Sequence, residues 1–157
     1  MLLAWLVLLL TVAFLQSALF TPFFKSLFLT PSASFILSLY GKYLLKDGWK
    51  VVFSSAFTGL FLDAITDSWG VFLMANALFS YAFVKVTALL VFRRPEVELF
   101  VFIPLICVLR KIFILALAEL KVSVPVDAAL FAKSVLSDFL LTAVLYIFFR
   151  KRVDGEA

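Results

Sequence analysis

An all-α integral membrane protein with six transmembrane helices and both termini in the cytoplasm is the fold class this chain predicts. Three observations carry it. Of 157 residues, 65% are hydrophobic and only 15% are charged, against about 45–50% apolar in a soluble domain. The apolar residues fall in six runs separated by Pro, Gly and charged positions. Lys and Arg collect at alternate breaks, as the positive-inside rule requires of helices that run back and forth. A soluble globule of this size needs far more polar surface to cover its core. An ordinary cytosolic enzyme, a disordered tail and a nucleic-acid-binding domain are therefore excluded, and residues 1–157 read as one membrane domain.

The first run, Leu2 to Phe20, is expected to end at Thr21-Pro22, because proline interrupts the hydrogen-bond ladder. It lacks a basic leading segment and a good small-residue cleavage site, so it is expected to remain as a span. The second run, Ser32 to Leu45, opens after Pro31 and closes at Lys46-Asp47-Gly48, and the third is Trp49 to Leu62. Each gives roughly 21 Å of helix, so two spans and a re-entrant hairpin both remain open. The fourth run is Gly70 to Phe92, the fifth Leu99 to Ala118, and the sixth extends from about Val126 to Phe149, stopping at Arg150-Lys151-Arg152. Trp5, Trp49 and Trp69 lie near run ends, where tryptophan often anchors helices at the membrane interface. Inside termini put Lys42, Lys46, Lys50, Arg93, Arg94, Arg150, Lys151 and Arg152 at cytoplasmic ends, against only Lys25 and Lys121 opposite.

Ionisable residues within the runs are the candidate functional positions, since a charge in hydrocarbon is costly and needs a partner, water or another helix. They are Asp63, Lys85, Arg110, Lys111, Lys133 and Asp138. Counting helical rise places Asp63 with Arg110 or Lys133 in an outer layer, and Lys85 with Asp138 in a deeper one. Lysine and arginine can snorkel to the interface; a short carboxylate at depth cannot, so each Asp is expected to sit in an ion pair. The formal charge of +4 divides into +3 at the cytoplasmic ends, −1 at the outer ends and +2 in the membrane. That internal surplus is hard to satisfy in one subunit. The outer cluster of Arg110, Lys111 and Lys133 is therefore expected to meet a lipid phosphate or an anionic group on a partner.

Ser55, Gly59 and Asp63 recur at four-residue spacing and share one helix face. Small residues there let another backbone approach closely, either inside the bundle or from a partner's transmembrane helix. Ser134 and Asp138 align in the same way, with Ser137 beside them.

The residue inventory argues against catalysis. There is no His and a single Cys, Cys107, which removes HExxH metalloproteases, Ser–His intramembrane proteases and multi-cysteine metal sites. Only five glycines are present and none builds a phosphate-binding loop. The two aspartates that a paired-aspartate peptidase would need, Asp63 and Asp138, fall at different predicted depths. No catalytic residue, cofactor or metal ligand is expected.

Gly59-Leu60-Phe61-Leu62-Asp63, a short turn, and Gly70 opening the next run together resemble the bacterial rod shape-determining protein MreD family. Pro31, the apolar run through Tyr40 and the basic Lys46–Lys50 turn fit that family's second and third spans; the Arg93-Arg94 turn and basic C-terminus match in placement. The resemblance covers roughly residues 31–92, and Ser55 stands where relatives often carry glycine. It implies a non-catalytic subunit of the elongasome in the bacterial inner membrane, binding the single-span protein MreC. Through MreC it would connect to MreB filaments and to the wall polymerase and its transpeptidase partner. The family is also thought to resemble the six-helix substrate-binding subunits of ECF vitamin transporters. A small-molecule-binding subunit of such a transporter is therefore the alternative.

Overall fold

The computed structural model describes residues 1–24, 27–89, 98–120 and 127–153. Lys25, Arg93, Arg94, Glu96, Lys121, Asp154 and Glu156, and the side chains of Glu98, Arg150, Lys151 and Arg152, lie outside what it describes. Among the described residues the chain forms six principal helices and no strand. We label them α1 (Leu2–Phe24), α2 (Ala33–Leu45), α3 (Gly48–Thr66), α4 (Val71–Leu89), α5 (Leu99–Glu119) and α6 (Ala128–Val153). Four of them, α1, α4, α5 and α6, are long and apolar enough to cross a membrane, the makeup of a membrane protein.

The boundaries of α1 and α3 depart from expectation, each for an identifiable reason. Helix α1 runs past Thr21-Pro22 to Phe24 instead of stopping at Phe20, because a π turn at Gln16–Phe20 precedes the proline. The wider turn absorbs the missing amide and the ring clash that would otherwise break the helix. Helix α3 extends to Thr66, about 28 Å in all, because the Asp63 carboxylate turns towards the next helix and does not break this one. Helix α2 has 13 residues, about 20 Å, and starts between the other helices: Thr30, Pro31, Ser32 and Ala33 are all buried.

The α2–α3 turn, the start of α1 and the end of α6 share one end of the bundle, where Trp5, Leu9, Leu37 and Leu45 pack with Leu145 and Phe149. Trp5 is buried against Gly41 and is not an interfacial anchor, whereas Trp49 and Trp69 are exposed. Asp47 forms the N-cap of α3 through the Trp49 amide and pairs with Lys50 at 3.4 Å. At the other end, Ala13, Leu62, Val71, Phe72, Ala75 and Ile114 close the core. Between them lies the main cluster around Phe35, Leu39, Tyr40, Phe83, Ile103 and Cys107. Helices α3 and α4 form the most extensive pairing in the fold.

Candidate functional site

Two polar constructions occupy the interior. The first joins α3 to α4. Gly59 sits directly on the α4 backbone: a Cβ there would lie 2.6 Å from the Phe72 carbonyl oxygen and 2.8 Å from Leu73 Cα. One turn on, Asp63 aims its carboxylate at the start of α4. Its Oδ1 accepts from the Phe72 amide at 2.9 Å, its Oδ2 from the Leu73 amide at 2.7 Å, and the Ser68 hydroxyl also donates to it. The first amides of any helix lack intrahelical acceptors and carry partial positive charge, so a carboxylate is well matched to them. Getting the chain from one helix to this position takes a tight reversal. Asp67, Trp69 and Gly70 all adopt positive φ, and Gly70 at +86° holds the conformation that only glycine takes without strain. Ser55 completes the face, exchanging hydrogen bonds with Asn76: its hydroxyl donates to the Asn76 carbonyl at 3.3 Å, and the Asn76 amide donates to the Ser55 carbonyl at 3.0 Å.

Asp63 therefore makes no ion pair with a described residue, contrary to the expected partnership with Arg110 or Lys133. Backbone amides supply the compensation that a cation was expected to give. Replacing Asp63 with Ala should lower stability by about 2 kcal/mol, the loss of a charged cap. Asp63→Asn should lose less, because one side-chain oxygen still accepts. Thermal unfolding in detergent micelles reads both.

The second construction lies at the start of α2. Its first amides open inside the bundle, where no water satisfies them. Asp138 on α6 accepts the Ser32 amide at 2.6 Å. Gln16 on α1 accepts from both the Ser34 amide and the Ser34 hydroxyl at 3.0 Å, and donates to Thr30. Asp138 also pairs with Lys111 on α5 at 2.5 Å, and the Lys111 ammonium donates to Ser134, one turn from Asp138. Arg110 points to the other side of the same point. Its Nε donates to Asn76 Oδ1 at 2.6 Å and its Nη1 to the Ser32 hydroxyl at 3.2 Å, with the guanidinium 4.6 Å from the Phe35 ring centroid. A stacked guanidinium, weakly hydrated and with directional donors, tolerates burial better than a lysine ammonium.

Asp138 thus partners Lys111, and Lys85 does not join it as depth counting expected. Counting rise from span ends assumed that every helix starts at one level, but α6 is longer than its neighbours and the lysine stem covers several ångströms. Lys85 is exposed on α4, its ammonium 5.7 Å from the Tyr81 ring centroid. Lys133 is exposed on α6. The expected outer cluster of Arg110, Lys111 and Lys133 is therefore not one surface. Arg110 and Lys111 are buried with internal partners, and only Lys133 faces outwards. Ser137 also leaves the expected group: its hydroxyl donates back to the Lys133 carbonyl.

Three residues central to these networks carry no charge and escaped the search for charged positions: Gln16, Ser32 and Asn76. The signal for two of them was present, since a lone amide side chain deep in a long apolar run needs partners as a charge does. Ser32 acts through its hydroxyl, which accepts from Arg110, and through its backbone amide, which no residue type reveals.

The arrangement can hold helices in register: Lys111 joins Asp138 and Ser134 on α6, and Arg110 joins Ser32 to Asn76. No family model matches the chain, and no solved structure matches it. An uncharacterized protein of Aquifex aeolicus (strain VF5) is 30% identical over 153 residues, covering 98% of this chain and 97% of that protein. With similarity running through nearly all of both chains, this protein belongs to the same family as the Aquifex protein.

Proposed function

We propose that the chain is a six-span protein of the bacterial inner membrane, both termini cytoplasmic, and a non-catalytic scaffold subunit of MreD type. In this role it holds the transmembrane helix of an MreC-like single-span protein and so links MreB filaments to the wall polymerase and transpeptidase. The observation that carries this reading is the use made of Gly59, Asp63 and Gly70. The residues on which the family resemblance rests are the ones that latch α3 to α4. A motif spent on close packing and capping suits a protein that works by shape. Lys42, Lys46 and Lys50 gather at the bundle end that also holds the start of α1, which supports the inside orientation.

One observation favours the alternative, a small-molecule-binding subunit of an ECF-type transporter. A cavity of about 400 Å³ opens at the α3–α4 turn, walled by Thr66, Asp67, Ser68 and Trp69 with Phe28 opposite. Purification from native membranes in a mild detergent separates the two. The scaffold reading expects a single-span protein with a periplasmic domain to copurify, and cells depleted of the subunit to round up. Copurification of a pair of ATPases with a second membrane subunit replaces it with the transporter.

A further inference from the structure

Lys133 is the one intramembrane cation of the expected outer cluster that the fold leaves outside. It lies about 8 Å along α6 from the first residue of that helix, on a face shared with Ser137, Leu140 and Val144 at helical spacing. It has no ion-pair partner among the described residues. Below it, a groove of about 270 Å³ runs between α6 and the chain entering α2. Phe20, Pro31 and Ala33 form one wall and Ser137, Leu140 and Val144 the other. The groove exists because α2 starts deep, leaving a gap beside α6 that a longer helix would fill. Helix α6 is the least buried of the four long apolar helices, 17% against 22–39%, so the groove opens to the surrounding bilayer. Its lining is almost wholly apolar; the hydroxyl of Ser137 is already bonded to the Lys133 carbonyl.

We propose that this face binds one anionic phospholipid, with the lipid phosphate at Lys133 and an acyl chain in the groove. A cation above an apolar channel matches the amphipathic order of a phospholipid in the leaflet at that end of the bundle. Lysine near that depth reaches the phosphate level by snorkelling. A protein helix in the same groove would find no free polar group to fix its register. The inference rests on membrane placement and needs neither the MreC-like partner nor the transporter reading.

The test is native mass spectrometry of the full chain in detergent, titrated with palmitoyl-oleoyl phosphatidylglycerol or the zwitterionic phosphatidylcholine of the same chains. Phosphatidylglycerol is expected to give one preferred adduct. Lys133→Gln should weaken it about fivefold, the worth of one interfacial lysine, to the level of phosphatidylcholine. Lys85→Gln removes the exposed cation on α4 and should leave it unchanged. Val144→Trp fills the groove without touching the charge and should weaken both lipids. Equal losses in the two lysine variants, or no loss in Lys133→Gln or Val144→Trp, overturns the proposal. So does a Lys133→Gln variant that keeps its lipid but sheds a single-span protein, which would assign the groove to a protein helix.

Discussion

Asp138→Ala is expected to cost about 3–5 kcal/mol of stability, the range for breaking a buried ion pair from one side. The substitution strands Lys111, nearly inaccessible at 1% exposure, leaving its ammonium the Ser134 hydroxyl. It also strips the acceptor from the Ser32 amide at the start of α2. The pair itself need not be stabilising, because desolvating both ions offsets much of their attraction. The discriminating variant is therefore the double replacement Lys111→Met with Asp138→Leu. It should recover most of the loss and retain a deficit of about 1–3 kcal/mol for the unaccepted Ser32 amide. Lys111→Met alone should be as damaging as Asp138→Ala or nearly so, leaving a buried carboxylate held by one amide. Unfolding in mixed detergent and SDS micelles measures all three. An Asp138→Ala protein within about 1 kcal/mol of the parent would mean that the pair behaves as a solvated surface contact.

That experiment bears on what a sequence can and cannot disclose here. Helix number and approximate limits were legible because hydrocarbon demands long apolar runs, and such runs are visible in any order of contacts. That Asp63 and Asp138 need partners was equally legible from the cost of burying a carboxylate. Which partners they take was not. The runs give each helix a length but not its starting level, and the deep start of α2 is set by its packing against α1, α5 and α6. Once Ser32 opens inside the bundle, its amide competes for Asp138, and the tally of side-chain charges omits that competitor. Asp63 repeats the lesson, since its compensation comes from the amides of Phe72 and Leu73. The apparent surplus of intramembrane cations likewise divides: Arg110 is met by neutral oxygens and ring faces, Lys85 and Lys133 sit outside. Charge arithmetic located the polar core but counted only half of the groups that build it.

Gly59→Leu is expected to be the most damaging substitution on the α3–α4 face. Even a Cβ at this position overlaps backbone, at 2.6 Å from the Phe72 oxygen and 2.8 Å from Leu73 Cα, so no rotamer relieves it. Relief requires α4 to move away, and that motion draws the Phe72 and Leu73 amides from Asp63. Overpacking alone costs about 1–3 kcal/mol; loss of the cap adds to it, giving an expected total of about 3–5 kcal/mol. Gly59→Ala should produce a smaller shift of the same sign. Because one displacement causes both losses, Gly59→Leu and Asp63→Ala should be sub-additive: the double variant should fall short of the summed single costs by about 1 kcal/mol or more. The same variants separate an internal face from a partner-binding one. Lost stability in the isolated protein, before any partner is added, follows from packing inside the bundle. A Gly59→Leu protein that unfolds like the parent yet fails to retain a single-span partner would place this face on the outside and overturn the latch.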